Sequence, residues 1–300
     1  MPTGVRFEEM MSRTSRTRLR SVRRLGRPLR RSSPALDRAM THRETAYVMT
    51  QDPVMIFSMG KTGTSSIAEA LDEATNRPVV KAHALTQDGL DRRFAKAERL
   101  GIHARPRFLW QCEQISRSLD GHKPWKLLCG VRDPVAVAVS DHFYGLARQV
   151  ETGKQPWMTG GLDDHALAIA KNIEENFIDR DWFVDELEVV TGIDAYSSEF
   201  STTDGATTLH GNGYCALVVR MENLESVGPQ AVAEHFQIGS PLALAHRNQG
   251  RSSAASPYRQ FLSEGVLPQD TVSAAYRTPM ARHFYSAVEL DTFRQRWTEG

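Results

Sequence analysis

Residues Val54-Met55-Ile56-Phe57-Ser58-Met59-Gly60-Lys61-Thr62-Gly63-Thr64-Ser65-Ser66 decide how the chain is read. The stretch from Val54 is a short apolar run, the pattern of a strand buried on both faces of a parallel sheet. After the loop, Ile67, Ala70, Leu71 and Ala74 fall on one face of a helical pattern that stops at Asn76-Arg77-Pro78. Strand, glycine-containing loop and helix, in that order, aim backbone N–H groups and the positive helix end at an anion. Every residue from Gly60 to Ser66 is a glycine, a hydroxyl residue or the single lysine. Gly60 and Gly63 let the backbone bend around the anion, Thr62, Thr64, Ser65 and Ser66 add donors, and Lys61 adds a full positive charge. A Walker A loop needs Gly at position 55, where Met55 stands, so the triphosphate-binding form is half missing.

Two further pieces sit where such a loop needs them. Lys126-Leu127-Leu128-Cys129-Gly130-Val131 reads as a second buried strand, followed by Arg132-Asp133-Pro134. Asp at the N-cap and Pro at the first helical position form a matched helix start. The helix continues through Val135, Val139, His142, Phe143 and Leu146, with Ser140 off most of that stripe. Arg132 therefore stands at the carboxyl end of a strand, where ligands bind in open α/β sheets, and its guanidinium suits bidentate contact with phosphate. Pro78 to Leu85 reads as a short strand whose alternation puts Lys81 and His83 on one face. The expected fold is a three-layer α/β domain with a central parallel sheet flanked by helices.

These three pieces resemble the motifs of sulfotransferases that use 3′-phosphoadenosine 5′-phosphosulfate, a family with a P-loop fold. The family's P-K-[ST]-G-T-[ST]-x loop is matched by Gly60 to Ser66, with Gly60 in place of proline. Its Arg followed eight residues later by Ser, which binds the 3′-phosphate, is matched by Arg132 and Ser140. The cytosolic enzymes' K-T-H is matched by Lys81-Ala82-His83. The remainder is similar to a narrower bacterial group, the sulfotransferase-like capsular polysaccharide synthesis proteins. That similarity runs through Trp182-Phe183 with Glu186, Gly192 to Tyr196, Leu217 to Leu224, and Ala281 to Ser286 leading to Trp297. Coverage is roughly residues 52–297. No clean Arg-Lys-Gly cofactor loop stands near the C-terminus, and His246-Arg247-Asn248-Gln249-Gly250-Arg251 is the nearest substitute.

The resemblance implies a transferase that moves a sulfuryl group from the phosphosulfate to a hydroxyl of a small molecule or glycan. It implies Lys61 and His83 as catalytic residues, and Gly60 to Ser66, Arg132 and Ser140 as cofactor contacts. Lys61 neutralises the leaving oxygen, and His83, taken at an ordinary pKa near 6.5, accepts the acceptor's proton. No metal is expected, because a sulfuryl group carries less charge than a terminal phosphoryl and Asp133 is better explained as a cap. Two other readings stay open: a P-loop kinase or NTPase, and a non-catalytic relative that keeps the nucleotide site.

Composition bounds the rest. The 300 residues are 40% apolar and 24% charged, ample for a sizeable core. No stretch approaches the roughly 20 apolar residues of a membrane-spanning helix. The net charge of +1 conceals two unlike regions: residues 1–43 hold 12 Arg, no Lys and three acids, a net of +9. The remainder has 25 basic and 33 acidic residues, a net of −8. The Arg/Ser-rich run from Arg13 to Arg31 predicts a disordered tail over residues 1–45, with the domain at 46–300. For that tail an organelle-type targeting segment, an arm on anionic lipid or nucleic acid, a translated leader, and a tail without specific function all stay open. Peripheral membrane contact would come through it, and no specific nucleic-acid binding is expected of the body. Cys112, Cys129 and Cys215 show no metal or disulfide spacing, which suits a reducing cytoplasm. Patterns at 164–177 and 181–191 predict lid or packing helices with core aromatics, and 197–213 a loop or short hairpin. Arg220 and Glu222 are read as a pair, and His283-Phe284-Tyr285 as either pocket lining or helix packing.

Overall fold

The computed structural model describes residues 34–99, 106–119, 124–151, 153, 160–244 and 255–299. Arg13–Arg31 and His246–Arg251 lie outside the described residues. Five strands form one sheet: β1 (Val54–Phe57), β2 (Val79–Ala82), β3 (Lys126–Val131), β4 (Ala206–Gly211) and β5 (Tyr214–Arg220), in the order β2-β1-β3-β5-β4. The helices are α1 (Pro34–Met49), α2 (Thr64–Ala74), α3 (Gln87–Arg99), α4 (Pro106–Arg117), α5 (Pro134–Glu151), α6 (Leu162–Ile173), α7 (Val189–Thr191), α8 (Gly228–Phe236), α9 (Ala255–Glu264), α10 (Gln269–Ala275), α11 (Pro279–Phe284) and α12 (Ala287–Thr298). Among the described residues no helix is long and apolar enough to cross a membrane.

The strands sort their side chains with the period of two that a pleat imposes. Met55, Phe57, Leu127, Cys129, Val131, Ala216 and Val218 enter one core, while Val54, Ile56, Leu128, Leu217 and Val219 enter the other. Helix α2 covers the second face with Ile67, Ala70 and Leu71, joined by Val232 and Phe236 of α8. The first face is covered by α5 and α6 and by the C-terminal helices, through Val139, Phe143, Ile169, Phe284 and Trp297. With helices on both faces, the parallel strands must be apolar throughout, as β1 and most of β3 are.

The three-layer α/β fold with a mostly parallel central sheet is as the sequence predicts, and only the edge strand β4 departs from parallel. Strand β4 pairs antiparallel with β5 across the two-residue turn Asn212-Gly213, whose φ values of 44° and 84° suit a tight hairpin. The tail boundary also moves. Residues 34–45 belong to α1, which starts on Pro34 with Asp37 in its first turn and packs on α4. The buried stripe of α1 is Thr41, Thr45 and Met49, four residues apart. Arg38 and His42 meet Glu113 of α4 at 2.6 and 3.1 Å, and Arg107 of α4 reaches back to Asp37 and Glu44 at 3.3 Å each.

Asp133 binds the C-terminal helices to the sheet. Its carboxylate accepts from Val135 N–H at 2.9 Å as the N-cap of α5, from the Tyr276 hydroxyl at 2.9 Å, and from the Trp297 indole N–H at 3.0 Å. Burial pushes the Asp133 carboxyl up, and the Trp297 and Tyr276 hydrogen bonds pull against it. A buried carboxylate is tolerated only when its lone pairs are satisfied. Trp297→Phe keeps one aromatic ring but removes the donor and part of a buried side chain, so unfolding stability should fall by about 1.5–3 kcal/mol or more. Urea denaturation checks this, and an unchanged midpoint would remove the bond's structural role.

Candidate functional site

In the strand order, β2 lies on one side of β1 and β3 on the other, so the direction of winding reverses between β1 and β3. A crevice opens outside the carboxyl ends of the strands at such a point. The loop after β1 and Arg132 after β3 both lie there, and the Arg132 guanidinium donates to the Lys61 carbonyl at 3.2 Å. The structure thus brings together Lys61 and Arg132, separated by seventy residues of chain.

The loop rests on one buried hydroxyl. Ser58 Oγ donates to the Gly130 carbonyl, accepts from Gly130 N–H, both at 3.0 Å, and meets Thr62 Oγ1 at 2.9 Å. Thr62 Oγ1 also donates to the Met59 carbonyl. The Thr62 hydroxyl is therefore spent inside the loop and not turned toward an anion, contrary to the expectation for that side chain. Thr64 is buried as well, while Ser65 is exposed and Ser66 partly so. Lys61 and Gly63 both have left-handed backbones, with φ of 68° and 72°. A chain that alternates in handedness turns successive N–H groups toward one concave side. Gly63 is also closed in: a Cβ there would lie 2.9 Å from Leu224 Cδ2. Gly130 leaves space for the loop itself, since its Cβ would meet Thr62 Oγ1 at 2.7 Å.

Gly60 is different from what its residue type suggests. A Cβ there meets nothing within 4 Å and the backbone is not left-handed, so the bend falls on Lys61 and Gly63. A β-carbon therefore fits at position 60, where the resembling motif has proline.

Around the loop stand charges supplied by three other elements, β2, α3 and α5. Lys61 Nζ lies 4.1 Å from the centroid of the Tyr144 ring, a cation–π contact on α5. Ser140 is four residues before Tyr144 and shares its helix face, which turns toward the loop. Lys81 at the end of β2 donates to Ser65 Oγ at 2.9 Å. Lys96 of α3 pairs with Asp141 of α5 at 2.6 Å. Burial opposes the charge of Asp141, but Lys96, Lys61 and Arg93 hold its carboxyl below the usual range.

His83 follows β2, at the same end of the sheet. Its Nδ1 lies 2.6 Å from the Ser58 carbonyl, which can only accept, so Nδ1 carries the proton and Nε2 the lone pair. Burial, then Arg93, push the imidazole down to about 3, with Lys81 and Lys61 adding and the Ser58 hydrogen bond opposing. The ordinary value of 6.5 expected from the sequence does not apply, because the surroundings are cationic and partly dry. The His83 carbonyl accepts from Arg93 at 3.2 Å and from the Trp182 indole at 3.0 Å. Phe108 lies 5.0 Å from the imidazole ring.

The residues that fasten this end of β2 were not read as site residues in the sequence. Glu186 is buried and accepts from Leu85 N–H, Thr86 N–H and the Thr86 hydroxyl at 2.8 to 3.0 Å, anchoring the start of α3. Trp182, expected as core, does pack against the main core on Phe57 and in addition donates to the His83 carbonyl. Their only sequence signal was the resemblance around Trp182 to Glu186. Arg220 pairs with Glu289 at 2.8 Å and not with Glu222, because Glu222 is taken by Asp133 N–H and the Tyr285 hydroxyl, both at 3.0 Å.

The glycine geometry gives a direct prediction. Gly60→Ala should change stability by no more than about 0.5 kcal/mol, as an open surface position does. Gly63→Ala should cost about 1–2 kcal/mol for the left-handed backbone alone. Chemical denaturation of both variants checks the order, and equal losses would refute it.

No family model, curated protein or solved structure matches the chain.

Proposed function

We propose that the protein is a sulfotransferase that moves a sulfuryl group from 3′-phosphoadenosine 5′-phosphosulfate to a hydroxyl acceptor on a saccharide. The observation that carries this reading is the meeting, at one crevice, of the Gly60–Ser66 loop, Lys61, Arg132 and a histidine held as the Nδ1–H tautomer. The residues fit the polyanionic cofactor: loop N–H groups and Lys61 would hold the phosphosulfate, and Arg132 with Ser140 the 3′-phosphate. When bound, the cofactor supplies an activated sulfuryl group on a phosphate leaving group. Lys61, with its ammonium on the loop, stabilises charge on the oxygen that departs. His83 Nε2 accepts the proton of the acceptor hydroxyl, while the Ser58 carbonyl keeps the tautomer fixed.

A kinase or NTPase would need an acid free to position a divalent cation. Asp133, the acid following β3, has its carboxylate committed to Val135, Tyr276 and Trp297. That supports sulfuryl transfer over the triphosphate reading. Thermal unfolding separates the two: adenosine 3′,5′-bisphosphate should raise Tm in an Arg132-dependent way, and stabilisation by ATP with Mg²⁺ alone would sink the proposal.

Lys61→Ala and His83→Ala should each lower transfer by at least about a hundredfold. His83→Ala should leave bisphosphate binding nearly intact, and unchanged turnover would remove His83 as the base. The pH dependence follows from the sign of the His83 shift. A depressed pKa keeps the base deprotonated below its ordinary range, so kcat/KM for the phosphosulfate, which reports the free protein, should stay level as pH falls through 6.5 and drop only well below it. A loss of that kcat/KM centred at 6.5 would contradict the cationic, buried surroundings of His83.

A further inference from the structure

The C-terminal helices enclose a cleft of about 330 Å³, distinct from the loop crevice. Its floor is apolar, made by the buried Tyr276, Tyr285 and Leu290. The floor backs directly onto the corner that carries Arg132, since the Tyr276 hydroxyl bonds Asp133 and the Tyr285 hydroxyl bonds Glu222, which accepts from Asp133 N–H. The walls carry Arg277, Arg282 and Arg294 against one acid, Asp291. Asp291 pairs with Arg294 at 2.5 Å. Arg277 and Arg282 are exposed and pair with no carboxylate among the described residues. In a body of net charge −8, three arginines converging on one apolar-floored cleft are a local excess of positive charge that folding does not use.

We infer that this cleft binds an acidic sugar unit of a glycan acceptor, a pyranose ring bearing a carboxylate or sulfate. The ring would rest against Ala287 and the accessible edges of Tyr276, Tyr285 and Leu290, and its anionic group would be held by Arg277 and Arg282. The cleft is separated from the corner at Asp133 by the layer of Tyr276 and Tyr285, so it is an anchoring site for the acceptor and not part of the loop crevice. The choice of a glycan rests on the sulfotransferase reading, whereas the anion preference rests on the arginines.

The test is direct binding, followed by anisotropy of a fluorescently labelled tetrasaccharide of alternating uronate and hexosamine, with a neutral tetrasaccharide as control. The uronate oligosaccharide should bind the full chain and the neutral one at least tenfold more weakly. The double variant Arg277→Gln, Arg282→Gln should lose about tenfold or more in affinity with Tm unchanged, because both side chains are exposed and unpaired. Asp291→Asn, which removes the competing acid and releases Arg294, should tighten binding. Equal binding of the neutral sugar, or no loss in the double variant, overturns the inference. Loss of adenosine 3′,5′-bisphosphate binding with oligosaccharide binding unchanged overturns it in favour of a cofactor contact. Arginine-dependent uronate binding without any sulfuryl transfer leaves the cleft standing and removes the catalytic reading instead.

Discussion

The buried carboxylate of Asp133 is the constraint on which the rest of the arrangement depends. It sits one residue past the end of β3, at a corner where β3 becomes α5, and it receives donors from residues near the opposite end of the chain. Desolvating an ionised carboxylate costs several kcal/mol unless each oxygen is bonded. The three donors, one backbone N–H, one phenol and one indole, can satisfy it only if α10 and α12 are in place. The C-terminal helices and the sheet therefore fix one another. Arg132, the preceding residue, inherits a defined position at the strand end. Glu222 extends the same linkage, since it accepts from Asp133 N–H and from Tyr285, so the start of α5, the end of β5 and α11 converge on one hydrogen-bonded corner.

A second fixed point, Ser58, does for the loop what Asp133 does for the helices. Its hydroxyl joins β1 to β3 at Gly130 and to the loop at Thr62, while its carbonyl holds His83. One residue thus sets the loop's height above the sheet and the tautomer of the imidazole. The positions of Lys61 and His83 are coupled through Ser58. This explains why the polar side chains of the loop divide their tasks: Thr62 faces inward to shape the turn, and Lys61, with its left-handed backbone, projects toward Tyr144.

What could be read from the sequence was local. Four apolar residues from Val54, the small and hydroxyl residues of the loop, and the Asp-Pro helix start at 133–134 each act within a few positions; the strand, the loop and the helix start lie where they were expected, while within the loop Thr62 turns inward and the bend falls on Lys61 and Gly63. What could not be read was carried by side chains whose partners lie far along the chain. Helix α1 was missed because two of the three residues in its buried stripe, Thr41 and Thr45, are polar and leave no apolar period. Arg220 was paired with the nearest acid, yet Glu289 is its partner because Glu222 is already bonded twice. Arg93, which lies against the His83 carbonyl, is one exposed-type residue in a charged helix, and nothing in its neighbourhood marks it. The antiparallel β4 was half legible, since Asn212-Gly213 is a hairpin signal placed between short runs of mixed polarity.

The electrostatics of the site carry an internal logic. The cations that suit a polyanionic ligand, Lys61, Lys81 and Arg93, are the same ones that lower the affinity of His83 for a proton. At pH 7 the imidazole is therefore neutral before any ligand arrives, and no proton need be lost for it to act as an acceptor. An anion placed among these cations cancels part of their field, and the basicity of His83 then rises toward its ordinary value. On the proposed reading, binding the phosphosulfate strengthens the base at the moment a hydroxyl must be deprotonated, while Lys61 remains charged to meet the departing oxygen. The net charge of the body, −8, does not oppose this, because close-range placed charges outweigh distant ones that solvent and salt screen within about 10 Å. Affinity and catalysis would then draw on the same few side chains, held in register by Ser58 and Asp133.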